Sequence, residues 1–358
     1  MLLKFLMILF LSVIVALPGG CSTEEGREGA QHSREEENIS IITTIFPLAD
    51  IINNIGGERV QVITLMSPGD SPHTFEPSVE QARKTSRANL MFYIGGGLDD
   101  WAVGLARGEG VPTVEVMDYM DQWILDYQPI HLEEGHEGHS QHQEDHHHHH
   151  HDGEHCHNDC CADDHDHHDC SHGGQDHESH DCGHYHGPHD PHVWMNPVLV
   201  KEIIAPLVYD QLKSVSPDDE VYFQENLLSF QEELEELNQD IEEKVKGFSR
   251  RRFISYHSAW NYFAQQYGLE ESAAIEVFPG REPSARWLAE LVDLAEEKDI
   301  QIIFAEPQLS SKAAETIAGE IGGKVKILDP LGGEGVSNRE SYIALIRYNL
   351  EIFREALE

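Results

Sequence analysis

The chain has 358 residues, about two domains on the usual scale of ~100–200 residues each. Its 65 Asp and Glu against 24 Lys and Arg leave a net charge of −41. That excludes a protein gripping nucleic acid through phosphates, where affinity comes from basic side chains, and it suits one that attracts cations. Histidine is the anomaly: 21 of the 25 lie between His131 and Asp190, so the composition averages an ordinary globular protein with a polar insert.

Residues 1–20 read MLLKFLMILFLSVIVALPGG, with one positive charge at Lys4, and Cys21 follows. This is a secretory signal pattern. The apolar run Phe5–Leu17 is too short for a bilayer span, which takes ~20 residues. Small residues before a cysteine match a lipoprotein cleavage box, although Pro18 stands where that box usually has Leu. The expectation is lipidation at Cys21 and an extracytoplasmic protein, lipid-anchored to the cell membrane or lying in the periplasm. Residues 22–38 then form a charged, flexible tether.

Ile39–Phe46 is an apolar, β-branched run and reads as a buried strand. Pro47 suits the first turn of a helix and Gly56-Gly57 its end. Strands are expected at Arg59–Met66, Asn89–Ile94 and Val111–Met117. A short helix Pro77–Ala88, with Ser78 as N-cap, separates the first two of these. Gly95-Gly96-Gly97 reads as a tight turn near a cleft, since no Lys-Ser/Thr follows to make a phosphate loop.

The stretch 131–190 carries 16 Asp and Glu, five Cys and no Lys or Arg. With almost no apolar residues it has little to bury against the entropy of ordering, and the sequence predicts a disordered loop. Its His and Cys bias points to metal binding. The residues His146, His147, His148, His149, His150 and His151, with Cys156 and Cys160, form an accessory, low-affinity metal loop. All cysteines other than Cys21 lie in this stretch, so no disulfide frames the globular part.

Asn196-Pro197 looks like an N-cap followed by Pro at the first helical position, opening a helix to about Lys213. From about Asp218 to Lys246, Leu227, Phe230, Leu234, Leu237, Ile241 and Val245 recur every three or four residues. That is one apolar stripe on a long helix of roughly 40 Å, long enough to cross a domain. Strands then return at Arg252–His257, Ala273–Phe278, Ile300–Ala305 and Lys324–Leu328. They alternate with helices Ala259–Tyr267, Ser284–Lys298 and Ser311–Ile321, and Arg339–Ala356 closes the chain. The fold class is α/β: two doubly wound lobes with parallel sheets joined by one long linking helix. The boundaries are 39–215 for the N-terminal lobe, 216–247 for the linking helix and 248–358 for the C-terminal lobe.

Outside the insert and tether there are three histidines: His73, His192 and His257. His73 sits in a proline-punctuated loop after a strand, His192 before a helix, and His257 at a strand end. Asp329 also ends a strand. Doubly wound sheets place ligands at such ends. Three imidazoles and a carboxylate suit Zn²⁺ in four-coordinate geometry. Ligation needs neutral imidazole, so affinity should fall as pH drops towards ~6. A hydrolase would need a base such as Glu306 or Glu76, but the sequence has no His-Glu-x-x-His pair, and no enzyme is expected.

Five segments carry a resemblance: Pro72–Pro77, Asp190–Trp194, Tyr256–Phe263, Phe304–Gln308 and Leu328–Gly332. Together with the acidic His-rich insert, they resemble the metal-binding solute-binding proteins of ABC importers, specifically the zinc-uptake branch, over roughly residues 39–358. The resemblance implies two α/β lobes, a rigid linking helix and metal held between the lobes by His73, His192 and His257. Asp329 stands where many relatives supply a carboxylate; where water or a loop carboxylate fills that place, Glu76 or an insert residue could substitute. The implied partners are an ABC permease and its ATPase, a divalent metal, and the membrane through a lipid anchor, with no nucleic acid and a monomeric state. The alternatives are a receptor for another divalent metal such as manganese, a surface scavenger or adhesin, or a storage protein acting through the insert. His257 stands where manganese-type relatives tend to have a carboxylate, which favours zinc.

Overall fold

A computed structural model describes residues 38–125, 189–276 and 280–358. Cys21, the tether up to residue 37, and the insert residues His146–His151, Cys156 and Cys160 lie outside the described residues. Among the described residues no helix is long and apolar enough to cross a membrane.

The first lobe runs β1 (Ile39–Thr43), α1 (Phe46–Gly56), β2 (Val60–Thr64), α2 (Val79–Thr85), β3 (Leu90–Tyr93), α3 (Trp101–Glu109) and β4 (Thr113–Glu115). Its strands are all parallel in the order β2-β1-β3-β4. Next come α4 (Pro197–Leu199), a π turn through Val200–Ile204, α5 (Ala205–Val215) and α6 (Glu220–Lys246). The second lobe runs β5 (Arg252–His257), α7 (Asn261–Tyr267), β6 (Glu270–Glu276), α8 (Ala285–Glu297), β7 (Ile302–Ala305), α9 (Lys312–Glu320), β8 (Lys324–Ile327) and α10 (Tyr342–Leu357). Its order, β6-β5-β7-β8, repeats the first lobe's pattern and is again all parallel.

The near-continuous apolar strands follow from cover on both sheet faces. Alternate residues of β1 and β3 serve different cores: Ile41 and Phe92 enter the large one, while Ile42, Met91 and Tyr93 enter a smaller outer cluster. Phe253 and Phe304 likewise face the large core, and Ile254, Tyr256 and Ile303 the outer cluster of the second sheet. The large core is continuous through both lobes. Helix α6 is its spine, burying Phe223, Leu227, Phe230, Leu234, Leu237, Ile241 and Val245 along one stripe. Each such side chain contributes roughly 1.5–3 kcal/mol by leaving water. Hydrogen bonds add to the seam: Trp194 Nε1 donates to Pro330 O (2.8 Å), Tyr342 Oη to Trp194 O (2.8 Å), and Tyr342 N to Asp50 Oδ2 (2.8 Å).

Several elements depart from the sequence reading. β1 stops at Thr43 because Phe46 and Pro47 already open α1. Helix α3 was not anticipated: two glycines in its nine residues lower its intrinsic propensity, and packing through Ala102 and Ala106 forms it instead. β6 starts at Glu270, earlier than expected, because the charged Glu271 is buried in it. The expected continuous helix after Asn196 contains a π turn, and the long helix begins at Glu220 after a 3₁₀ turn at Pro217–Asp219. The end of the insert is also redrawn: Asp190, placed inside it by composition, is fully buried. Its N–H donates to Leu125 O at 2.8 Å, so the chain leaves and re-enters the fold at one point.

Candidate metal centre

The strand ends of the second sheet form a row of ionisable groups. Glu276 ends β6 and His257 ends β5, Glu306 follows β7 directly, and Asp329 comes two residues after β8. The first lobe supplies its groups from loops. His73 lies nine residues beyond the end of β2, on a loop whose turns close through Asp70 N to Ser67 O (3.0 Å) and Thr74 N to Ser71 O (3.3 Å). His192 precedes a 3₁₀ turn, Val193–Met195, and Asn196 then caps α4 by accepting from Val198 N (2.9 Å) and Leu199 N (3.4 Å).

These loops and strand ends bring three imidazoles together. His73, His192 and His257 each offer a ring nitrogen, and the three nitrogens lie within 4.8 Å of one another. Ring centroids are 5.5 Å apart for His73–His192 and 5.1 Å for each of the other two pairs. His192 and His257 are buried; His73 is half-buried, with both ring nitrogens shielded from solvent. They line a cavity that also touches Trp194, Glu306, Gln308 and Pro330.

The tautomers follow from the partners. His192 Nδ1 lies 2.8 Å from Asp190 Oδ1, which also accepts from His192 N at 3.0 Å. A carboxylate only accepts, so Nδ1 carries the proton and Nε2 keeps its lone pair. His257 Nδ1 lies 2.6 Å from Glu306 Oε1, close enough to pair although the approach is bent away from a straight hydrogen bond. Burial opposes a charge on His257, but Glu306, with Glu271 and Asp190 beyond it, outweighs that and raises its pKa above the ordinary imidazole value. The two Nε2 atoms therefore face each other at 3.3 Å. At that distance the two nitrogens either share a proton, donated by His257 when its ring is charged, or hold a cation between their lone pairs. Nitrogens bound at ~2.0–2.1 Å to a tetrahedral zinc ion sit about 3.3–3.4 Å apart.

The expected fourth ligand is not part of this cluster. Asp329 is buried, with Oδ1 accepting from Gln308 Nε2 (2.9 Å), Leu331 N (3.0 Å) and Gly332 N (3.1 Å), and Oδ2 from Arg339 Nη1 (2.8 Å). It braces its own loop. The substitute considered from sequence, Glu76, is exposed, whereas the ring nitrogens of the three histidines are shielded. The sequence reading weighed Glu306 only as a base and gave Asp190 no role; both back a histidine. Each had a local signal, a carboxylate two residues before His192 and one directly after the strand neighbouring β5.

Gly95, Gly96 and Gly97 all have positive φ (85°, 63° and 85°), and a Cβ on Gly95 would collide with the Glu115 side chain. The turn brings Ile94 N and Gly95 N onto buried Asp99, whose carboxyl burial pushes up to about 6. A second buried carboxyl, Glu271, lies behind His257; Ser255 Oγ and Ser258 Oγ (3.4 Å) donate to it, and burial pushes it up to about 8.

The chain is 28% identical over 324 residues to the zinc-binding protein AdcA of Streptococcus pyogenes, covering 89% of this chain but only 56% of that one, so it spans about half the length of that relative. It is 27% identical over 350 residues to the high-affinity zinc uptake system protein ZnuA of Bacillus subtilis, covering 96% of this chain and 94% of that one. The crystal structure of a ZnuA superposes with a TM-score of 0.65 at 26% identity, covering 89% of this chain and 99% of the other. The model of the family described as zinc-uptake complex component A, periplasmic, matches residues 41–356, and the chain belongs to that family.

Proposed function

We propose that this chain is an extracytoplasmic zinc receptor. It captures Zn²⁺ between its lobes with His73, His192 and His257 and delivers it to an ABC permease driven by its ATPase. The observation that carries this reading is the pair of Nε2 atoms facing each other at 3.3 Å with both Nδ1 atoms turned to carboxylates. Imidazole donors favour zinc over harder ions such as manganese. A core shared by both lobes and the seam bonds of Trp194 and Tyr342 favour small lobe movements on loading and release. The protein is a binder and not an enzyme: Glu306, the nearest candidate base, is turned to His257 Nδ1. Cys21 anchors it as a lipoprotein, it acts as a monomer, and the His-rich insert gathers zinc at weaker sites.

The test is zinc titration of the full chain against a competing chelator, read at the tightest equivalent. The receptor reading expects one tight equivalent that His257→Ala removes. If that variant keeps it, the insert holds the metal and the protein stores or scavenges zinc.

A further inference from the structure

Three imidazoles leave a tetrahedral cation one position short. Asp329 is poorly placed to fill it, because Oδ1 already accepts three hydrogen bonds and Oδ2 is paired with the Arg339 guanidinium. One of those donors is informative. Gln308 Nε2 gives a hydrogen bond to Asp329 Oδ1, and since that carboxylate bonds Arg339 and only accepts, the amide nitrogen must face it. The amide oxygen therefore faces away. Gln308 Oε1 is shielded from solvent and accepts no hydrogen bond. Buried acceptors are normally satisfied, so an orphan next to a metal-binding triad calls for a ligand. Gln308 lines the same cavity as the three histidines, two residues beyond Glu306, and that cavity has about 10 Å³ of free room, enough for one water-sized body.

We propose that the amide oxygen of Gln308 serves the fourth coordination position, on the ion or on its one bound water, and that Asp329 anchors this amide instead of ligating. The inference rests on the zinc-receptor reading above. It makes the donor set three neutral imidazoles and a neutral amide. A hard ion that relies on carboxylates loses most from such a set, and the cargo leaves without breaking a bond to an anionic ligand.

The experiment uses the full chain: zinc-loaded crystals with anomalous scattering at the zinc edge, and chelator competition at the tightest equivalent for Gln308→Leu, Gln308→Glu and Asp329→Asn. The expected structure places Gln308 Oε1 on the ion or on its water. Gln308→Leu should weaken zinc by ~10–100-fold, the usual loss for groups supporting a metal site. Gln308→Glu, which keeps the packing and restores an oxygen, should retain tight zinc and gain Mn²⁺. Asp329→Asn, which can still accept from Gln308, should lose less than Gln308→Leu. An Asp329 carboxylate on the ion, an unchanged affinity in Gln308→Leu, or a larger loss in Asp329→Asn would each overturn the proposal. These outcomes leave the receptor reading intact, because that fails only if His257→Ala keeps the tight equivalent.

Discussion

In the C-terminal lobe the residues of the candidate centre lie at the edge of the sheet: His257 is the last residue of β5, and Glu306, which backs it, is the first after β7. In the N-terminal lobe, built on the same strand order, the corresponding residues ride on loops, His73 well past β2 and His192 on the return from the insert. The sheet therefore preorganises one half of the centre, while hydrogen bonds and caps must hold the other half. A parallel sheet supplies a rigid edge wherever its strands end, whereas a loop residue is only as fixed as its local bonds.

The largest difference between the lobes should appear in stability against pH. Both bury a carboxyl, Asp99 in the first lobe and Glu271 in the second, raised to about 6 and about 8. A raised pKa means the folded protein holds a proton that the unfolded chain has lost, so stability falls as pH rises through that window. For Asp99 the window runs from about 4 to about 6, and for Glu271 from about 4.5 to about 8. At ~1.4 kcal/mol per pKa unit, the loss is on the order of a few kcal/mol. Denaturant unfolding of the metal-free protein should show Glu271→Gln flattening the decline between about pH 6 and 8, with Asp99→Asn flattening only the part below. An unaltered slope above pH 6 in Glu271→Gln would remove the distinction.

Ligand removal comes next. A zinc site of four ligands is worth ~10–16 kcal/mol, so one ligand carries roughly 3–4 kcal/mol, or ~10²–10³-fold in affinity. His257→Ala should show the full loss. His73→Ala should lose less, because its loop can reseat a water or oxygen in the gap. Equal losses in chelator competition would mean that the loop is as rigid as the strand. A smaller effect is expected from the carboxylates behind the rings, within ~10–100-fold. Asp190→Ala should sit at the upper end, since Asp190 holds both Nδ1 and the backbone N of His192 and accepts from Asn261 Nδ2 at 3.2 Å. Glu306→Ala should sit at the lower end, since β5 holds His257 without it. The reverse order would count against the sheet as the preorganising element.

The same division governs what could be read in the sequence. Strand ends and caps are local, so β5 was legible to the residue, and so were the Ser78 and Asn196 caps and the single stripe of α6. The three histidines stood out because so few lie outside the insert. What escaped depended on distant partners. Helix α3 exists through packing that two glycines conceal. Glu271 lies outside the expected strand Ala273–Phe278 and is a buried acid within β6. Asp329 had the right residue type at the right strand end, but only the fold shows Arg339, Gln308 and two backbone amides already upon it.

The smallest predicted effect separates structure from function most cleanly. Asn196 caps α4 next to His192, and Ser284 caps α8 by accepting from Trp287 N at 3.1 Å. Removing a cap costs ~1 kcal/mol, so Asn196→Ala and Ser284→Ala should destabilise the protein by similar small amounts. Their consequences for zinc should differ. Asn196 closes the turn that carries His192, and without it the Val193–Met195 segment has more ways to sit, so affinity should fall by a fewfold. Ser284 opens a helix that carries none of the three histidines, so its loss should leave affinity unchanged. If both caps leave zinc binding untouched, Asp190 alone fixes His192, and the N-terminal half of the centre is tighter than a loop-borne ligand would suggest.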